Sequence, residues 1–207
     1  MSHLSLNLNP ELASRPDTTP DPPIDLTRIP AGRPGMADVL RECRGWEIRP
    51  YPQPVNDALA PFLAGADRTV YLHGAAGCGK TWLAAAILFH LRLRGRGVDC
   101  KWGSFLPVDL FAHWVRAWDA GRERIAWWTN CPVLVLDDIG AARTTDAVTE
   151  AMEFLLVRRY RRNLLTIATS NLDLPRLDAG GGARIASRFR DGLIVNMGQQ
   201  DLRGHSE

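Results

Sequence analysis

The chain has 207 residues, 45% of them hydrophobic, and a formal net charge of +2 at pH 7. This length suits one globular domain with a sizeable core plus a tail, and a charge so near zero neither requires nor excludes a nucleic-acid partner. The longest apolar run, at 82–91, is too short to cross a bilayer, and the first residues do not pair a charged segment with an apolar one. We therefore expect a cytoplasmic protein without a membrane partner.

The N-terminal part of the chain divides into a tail and two short helices. Residues 1–34 hold seven prolines among short polar residues, and such a segment buries too little apolar surface to offset the entropy of ordering. Apolar residues recur at helical spacing within 36–45 and 55–63. The sequence therefore predicts a disordered tail over 1–34, short N-terminal helices over 35–66 and a core over 67–207.

From residue 67 onward, strand-like and helix-like runs alternate. The strand-like runs cover 68–73, 97–102, 132–137, 164–169 and 192–197, and helical patterns separate them. Short apolar strands interleaved with helices indicate a parallel sheet that is covered on both faces. The predicted fold class is therefore α/β, with a five-stranded parallel sheet and helices on both of its faces.

A glycine-rich loop follows the first predicted strand. Residues 74–81 read Gly-Ala-Ala-Gly-Cys-Gly-Lys-Thr, the complete G-x-x-x-x-G-K-[ST] pattern of a phosphate-binding loop, or Walker A motif. Its glycines permit positive φ angles and let backbone N–H groups approach a β-phosphate at a helix N-terminus. Lys80 would reach the β- and γ-phosphates, and the Thr81 hydroxyl would ligate Mg²⁺. We therefore expect ATP and Mg²⁺ as cofactors, with the nucleotide contacted by Gly74, Ala75, Ala76, Gly77, Cys78, Gly79, Lys80, Thr81 and Trp82.

Polar side chains stand at the ends of the third and fourth predicted strands. The run Val-Leu-Val-Leu-Asp137-Asp138 fits a Walker B element, because ligands of open α/β sheets bind outside the carboxyl ends of the strands. Asp137 would hold Mg²⁺, and Asp138 would polarise the attacking water as a general base. Asn171 follows the next strand, where its amide would hydrogen-bond the γ-phosphate or the water, a role called sensor 1. Ser-Asn is also ordinary turn chemistry.

Further motifs follow the loop in a fixed order. They are Leu-Val-Leu-Asp-Asp-Ile-Gly140, Arg-Arg-Tyr160, Thr-Ile-Ala-Thr-Ser-Asn-Leu172, Arg184-Ile-Ala-Ser-Arg188-Phe and Asp201-Leu-Arg203. This order, over residues 55–204, resembles the AAA+ ATPases of the DnaC/IstB group. That group comprises bacterial and phage replicative helicase loaders and similar transposition ATPases. The resemblance implies a P-loop NTPase of the AAA+ type in a bacterial cell or a phage-infected host.

The resemblance assigns roles to three arginines. Arg188 matches the arginine finger that completes the ATP site of a neighbouring subunit, Arg184 matches a second basic residue one helical turn earlier, and Arg203 matches sensor 2. A planar, always charged donor suits the transition state of phosphoryl transfer, although each arginine has the alternative of a solvated or ion-paired side chain. Only 19 residues follow Arg188, so we expect no C-terminal lid domain.

An aromatic and basic segment follows the second predicted strand. Five of the seven tryptophans lie between Trp102 and Trp128, and in related initiators and loaders this region carries an extra helix that lines a channel for single-stranded DNA. Aromatic rings beside arginine can stack on bases. The alternative is a core helix, because apolar residues recur at core spacing: Val108, Phe111, Val115 and Trp118. The basic run 158–162 is either a DNA-backbone contact or a solvated helix end.

Two functions agree with the resemblance. The first is a helicase loader, in which ATP drives self-association through Arg188 in trans, the assembly holds single-stranded DNA and the replicative DNA helicase, and hydrolysis releases it. Residues 1–50 match a helicase-binding element by position alone. The second is an IstB-like transposition ATPase that binds DNA and directs a transposase. We expect slow ATP hydrolysis, because Asp138 stands where many AAA+ proteins have the longer Glu. A small-molecule kinase and a nucleotide-dependent interaction module are further alternatives.

Overall fold

The computed structural model describes residues 59, 62, 67–93, 105–140 and 145–199. The predictions for the disordered tail, the strand at 97–102, Arg203 and the missing lid lie outside these residues. The two short N-terminal helices also lie outside them, apart from Leu59 and Phe62. Both of these residues are helical and fully buried in the core.

Five parallel strands form one sheet within the described residues. They are β1 (Thr69–His73), β2 (Phe105–Pro107), β3 (Val133–Asp137), β4 (Leu165–Ser170) and β5 (Leu193–Asn196). Their order across the sheet is β2-β3-β4-β1-β5, and every neighbouring pair is parallel. The five-stranded parallel sheet predicted from the sequence is therefore confirmed, and four of its strands lie within one residue of the predicted bounds at each end.

The remaining strand, β2, lies where the sequence predicted no strand. It has three residues and ends in Pro107, and among the strands that the structure describes it pairs with β3 alone. Proline cannot donate to a sheet ladder, so it is tolerated on an edge strand but weakens the strand signal in the sequence. The strand forms because the buried Leu106 packs into the core beside β3.

Helices cover both faces of the sheet. They are α1 (Lys80–Leu93), α2 (Val108–Arg116), α3 (Trp118–Asn130), α4 (Asp146–Arg161), α5 (Leu174–Leu177) and α6 (Ala183–Arg190), and a π-helical turn at Asp178–Gly182 joins the last two. Alternate residues of a strand point to opposite faces, and two separate apolar clusters result. One contains α1, and the other contains α2, α4 and α6. In the described part of the chain, the helices are all too short or too polar to span a membrane.

The parallel arrangement brings the candidate site together. Because the strands run in one direction, the residues that follow β1, β3 and β4 emerge at the same edge of the sheet. Those residues are the glycine-rich loop, Asp138 and Asn171. The register supports this, since His73 at the end of β1 pairs with Ser170 at the end of β4.

Candidate nucleotide site

The glycine-rich loop has the backbone conformation that its sequence predicts. Gly77 and Gly79 have φ angles of 81° and 88°, which residues with a Cβ atom rarely adopt. At Gly74, an added Cβ would lie 2.7 Å from the carbonyl oxygen of Gly198. The same carbonyl accepts a hydrogen bond from the N–H of Ala75 at 3.0 Å. Glycine is thus required at Gly74 because the segment after β5 presses against the start of the loop.

Lys80 is held inside this loop. Its side chain is 7% exposed, and its Nζ donates to the carbonyl oxygens of Gly74 at 3.0 Å and Ala75 at 2.7 Å. Both acceptors are neutral main-chain groups of the loop itself. A phosphate would offer charged acceptors, and hydrogen bonds between an ammonium group and a phosphate are among the strong, short ones in proteins. Lys80 is therefore placed to exchange its loop contacts for those of a polyphosphate.

Thr81 and Asp137, the two residues predicted to hold Mg²⁺, lie in direct contact. The Thr81 hydroxyl donates to the Asp137 carboxylate, at 3.0 Å from Oδ1 and 3.3 Å from Oδ2. Burial raises the pKa of Asp137, while hydrogen bonds from Thr169 and Thr81 oppose that shift. A hydroxyl and one carboxylate suit Mg²⁺, which takes one or two carboxylates and completes its shell with phosphate oxygens and water. No cluster of three or more acidic, His or Cys side chains that could hold a metal ion exists within the described ranges.

Asp138 lies beside Asn171, the residue predicted to contact the γ-phosphate or the attacking water. The Asn171 side-chain amide donates to Asp138 Oδ1 at 3.4 Å. Asp138 has a φ of 67°, a left-handed conformation that is uncommon outside glycine but several-fold enriched in Asp. Partial burial raises the pKa of Asp138, and the positive charge of Lys80 opposes that shift. The turn after β3 thus directs this carboxylate toward Asn171, which follows the neighbouring strand β4.

Thr169 is a site residue that the sequence analysis did not identify. Its hydroxyl donates to Asp137 Oδ1 at 2.7 Å and accepts from the backbone N–H of Asp138 at 2.8 Å. Its own carbonyl accepts from the N–H of Ile139 at 2.8 Å. The signal that would have found it is the pairing of adjacent parallel strands. Leu136 pairs with Ala168, so the residue after Ala168 lies next to Asp137.

Of the three arginines assigned by resemblance, the two that the structure describes, Arg184 and Arg188, lie on α6, outside this network. Arg184 forms an exposed ion pair with Glu153 of α4 at 3.1 Å. Arg188 lies with its guanidinium 5.5 Å from the ring centre of Tyr160. Its buried Nε has no hydrogen-bond partner among the described residues. The site hydrogen bonds found in the described residues join neither arginine to the loop or to the two aspartates.

One arginine of the basic run 158–162 is part of the core. Arg159 is 0% exposed, and it donates from Nη1 to the carbonyls of Trp128 and Cys131, both at 2.8 Å. The prediction that this run is either a DNA contact or a solvated helix end is therefore wrong for Arg159. It lies four residues after Leu155, so it continues the buried face of α4.

The aromatic segment divides between core and surface. Val108, Phe111 and Val115 are buried, as the core spacing predicted, and Trp128 is buried with them. Trp127 is 43% exposed. Trp114 is partly buried and carries the guanidinium of Arg124 at 4.2 Å from its ring centre. The side chain of Trp118 lies outside the description. Among the tryptophans of this segment whose side chains are described, Trp114 and Trp127 thus retain exposed ring surface.

Comparison with protein families gives one match that covers most of the chain. The family described as IstB-like ATP binding protein matches residues 58–203. No curated protein sequence is significantly similar to the chain.

Several solved structures share the fold. The DnaI structure has 25% identity and a TM-score of 0.55 over 86% of this chain and 89% of that one. The DnaC helicase loader has 22% identity and a TM-score of 0.60 over 76% and 99%. The replication initiator DnaA, bound to AMPPCP and single-stranded DNA, has 19% identity and a TM-score of 0.59 over 74% and 48%. The chain thus spans about half the length of the DnaA structures that it matches.

Proposed function

Since this chain belongs to the IstB-like ATP-binding family, we propose that it is an AAA+ ATPase that delivers a replicative DNA helicase onto single-stranded DNA during DNA replication. The proposed role as a helicase loader is supported by the structural similarity to the DnaC helicase loader, 99% of which is covered by the match. The ATP-controlled part rests on two observations at one edge of the sheet: Lys80 is held inside the glycine-rich loop, 3.0 Å from the Gly74 carbonyl, and the Thr81 hydroxyl donates to Asp137 at 3.0 Å. Residues 1–50 are proposed as the helicase-binding element.

The site residues divide the work of hydrolysis. Lys80 and the loop N–H groups bind the β- and γ-phosphates, and Thr81 and Asp137 hold Mg²⁺, which supplies charge neutralisation on the phosphates when bound. Asp138 accepts a proton from a water whose oxygen bonds to the γ-phosphorus while the bond to the bridging oxygen breaks. The products are ADP and phosphate. Asn171, which contacts Asp138 at 3.4 Å, orients that water.

Arg188 is the residue proposed to act on a second subunit. Its neighbours along α5 and α6 are engaged with carboxylates: Arg176 with Asp173, Arg184 with Glu153 and Arg190 with Asp178. Arg188 instead rests on the Tyr160 ring, and its Nε has no partner among the described residues. A buried donor without a partner calls for an explanation. A γ-phosphate presented by an adjacent copy of this chain would accept hydrogen bonds from the terminal nitrogens of this guanidinium, and ATP binding would then drive self-association.

Slow turnover follows from the identity of the general base. Asp138 is one methylene shorter than the Glu found at this position in many AAA+ proteins, and Asn171 and the left-handed turn at φ 67° direct where it points. A shorter carboxylate held in this way reaches the attacking water less well. We propose a steady-state rate below about 10 per second, the median for enzymes.

The surface proposed for single-stranded DNA lies on α2 and α3. Trp127 is exposed there, and Arg124 lies over the ring of Trp114. Aromatic rings with adjacent arginines bind bases without sequence preference. The DnaA structure with single-stranded DNA supports nucleic acid as the ligand.

Capture of the host replicative helicase by the full chain, with and without ATP, tests the loader proposal. Wild type should retain the helicase in the presence of ATP and release it after hydrolysis. Arg188→Ala should lose ATP-dependent self-association while still binding ATP. Arg190→Ala is the matched control, because Arg190 lies on the same helix but is bound to Asp178. No association of wild type with the helicase in either condition would remove the loader proposal.

A transposition ATPase is the second candidate, and the family description itself favours it. Such a protein would use the same ATP site and would direct a transposase to DNA. Equilibrium binding to duplex and single-stranded oligonucleotides of equal length separates the two proposals. A clear preference for duplex, together with capture of a transposase, would replace the loader proposal with this one.

A further inference from the structure

Thr169 joins the two acidic residues of the site. Its side chain is 1% exposed, and its hydroxyl has both of its hydrogen-bonding roles filled within the site. It donates its one proton to Asp137 Oδ1 at 2.7 Å and accepts from the N–H of Asp138 at 2.8 Å. One hydroxyl on β4 therefore fixes the orientation of one carboxylate and the backbone of the next residue.

The two contacts have different consequences for the site. Asp137 Oδ1 also accepts from Thr81 at 3.0 Å, so two hydroxyls determine how this carboxylate is turned. The N–H of Asp138 belongs to a residue in the left-handed conformation, with φ 67°, and such conformations persist only where neighbouring contacts hold them. Without the Thr169 hydroxyl, Asp137 gains rotational freedom and the Asp138 N–H loses its acceptor.

We propose that Thr169 is a positioning residue that presets Asp137 for Mg²⁺ and Asp138 for the attacking water. The proposal rests on the proposed ATPase function of the same site, although it needs neither the helicase nor self-association. Thr169 touches neither the nucleotide nor the water in this scheme; it acts through the two aspartates. Its effect should therefore be felt mainly when Mg²⁺ is present.

The test is a Mg²⁺ titration of the binding of a fluorescent ATP analogue to the full chain, with EDTA as the metal-free reference. Thr169→Val keeps the shape of the side chain but has no hydroxyl. We expect the Mg²⁺ concentration at half-maximal binding to rise by about tenfold, as for the loss of one charge-assisted hydrogen bond. Binding in EDTA should be unchanged, and Thr169→Ser should restore the wild-type titration.

Thr166→Val is the matched control. Thr166 lies on the same strand, is also 1% exposed, and loses a comparable pair of contacts, since its hydroxyl accepts from Arg159 and donates to the Leu164 carbonyl. It should lower the thermal midpoint without moving the Mg²⁺ titration. A merely structural role for Thr169 would give the same result in both variants.

Three outcomes would overturn the proposal. They are a Thr169→Val titration that matches wild type, an equal loss of binding with and without Mg²⁺, and a wild-type chain whose nucleotide binding does not depend on Mg²⁺. Failure of the loader proposal is distinguishable from all three. A chain that shows the expected titration but captures no helicase keeps the role of Thr169 and loses the loader function.

Discussion

Replacing the buried Arg159 with methionine should destabilise the domain by about 3–5 kcal/mol, because four buried neutral acceptors lose the group that donates to them. Methionine keeps much of the apolar stem but has no donors. The guanidinium donates to the carbonyls of Trp128, Cys131 and Leu165 at 2.8, 2.8 and 2.5 Å, and to the Thr166 hydroxyl at 3.0 Å. It thereby ties the end of α3 to the start of β4.

The magnitude follows from what each acceptor loses. A buried acceptor left without a donor costs about 1–3 kcal/mol. The summed cost for four acceptors therefore reaches well above the loss of about 3–5 kcal/mol that we expect for Arg159→Met. Two effects reduce it. The Trp128 carbonyl also accepts from the Cys131 thiol at 3.6 Å, and methionine no longer requires a charge to be buried. The stability of Arg159→Lys should lie between those of wild type and Arg159→Met, because an ammonium group cannot reproduce the planar fork of guanidinium donors.

Urea denaturation followed by tryptophan fluorescence measures the change, with the slope of free energy against urea checked for constancy. Arg161→Met is the control on the same helix, since Arg161 is exposed and surface changes of this kind are usually within about 0.5 kcal/mol. An Arg159→Met variant within that same range of wild type would refute the reasoning that these hydrogen bonds stabilise the fold.

Three further results are expected at the nucleotide site. Asp138→Asn should bind ATP normally in a fluorescence titration, because asparagine also tolerates the left-handed turn. It should hydrolyse ATP at least about a hundredfold more slowly, the lower range for loss of a general base. Undiminished release of phosphate would contradict the role of Asp138 as the general base. Gly74→Ala should weaken ATP binding, because its Cβ would lie 2.7 Å from the Gly198 carbonyl, and wild-type affinity would show that the loop adjusts. The ATPase rate per molecule should rise with protein concentration in wild type but stay low and flat in Arg188→Ala; a variant that keeps the rise would exclude Arg188 as the residue acting in trans.

Much of the site was predictable because its signals are local. The glycine positions, Lys80 and Thr81 form one continuous motif, and Asp137 and Asp138 end an apolar strand. That the loop and the two aspartates lie at the same edge of the sheet follows from the parallel direction of the strands alone. Thr169 was not predictable in the same way. Its role depends on the register between β3 and β4, which places it beside Asp137, and a threonine in a strand is common for other reasons.

The sequence by itself determined the α/β class, the phosphate-binding loop and the acidic strand end, because each is encoded by neighbouring residues and by the period of the apolar pattern. Only the tertiary structure decided which of the many arginines are buried, paired or available. Arg159 and Arg188 have the same chemistry, yet one is 0% exposed among backbone carbonyls while the other lies on an aromatic ring with its Nε unpartnered among the described residues. That difference arises from how α4 and α6 pack on the sheet, and packing joins residues that are far apart in the chain.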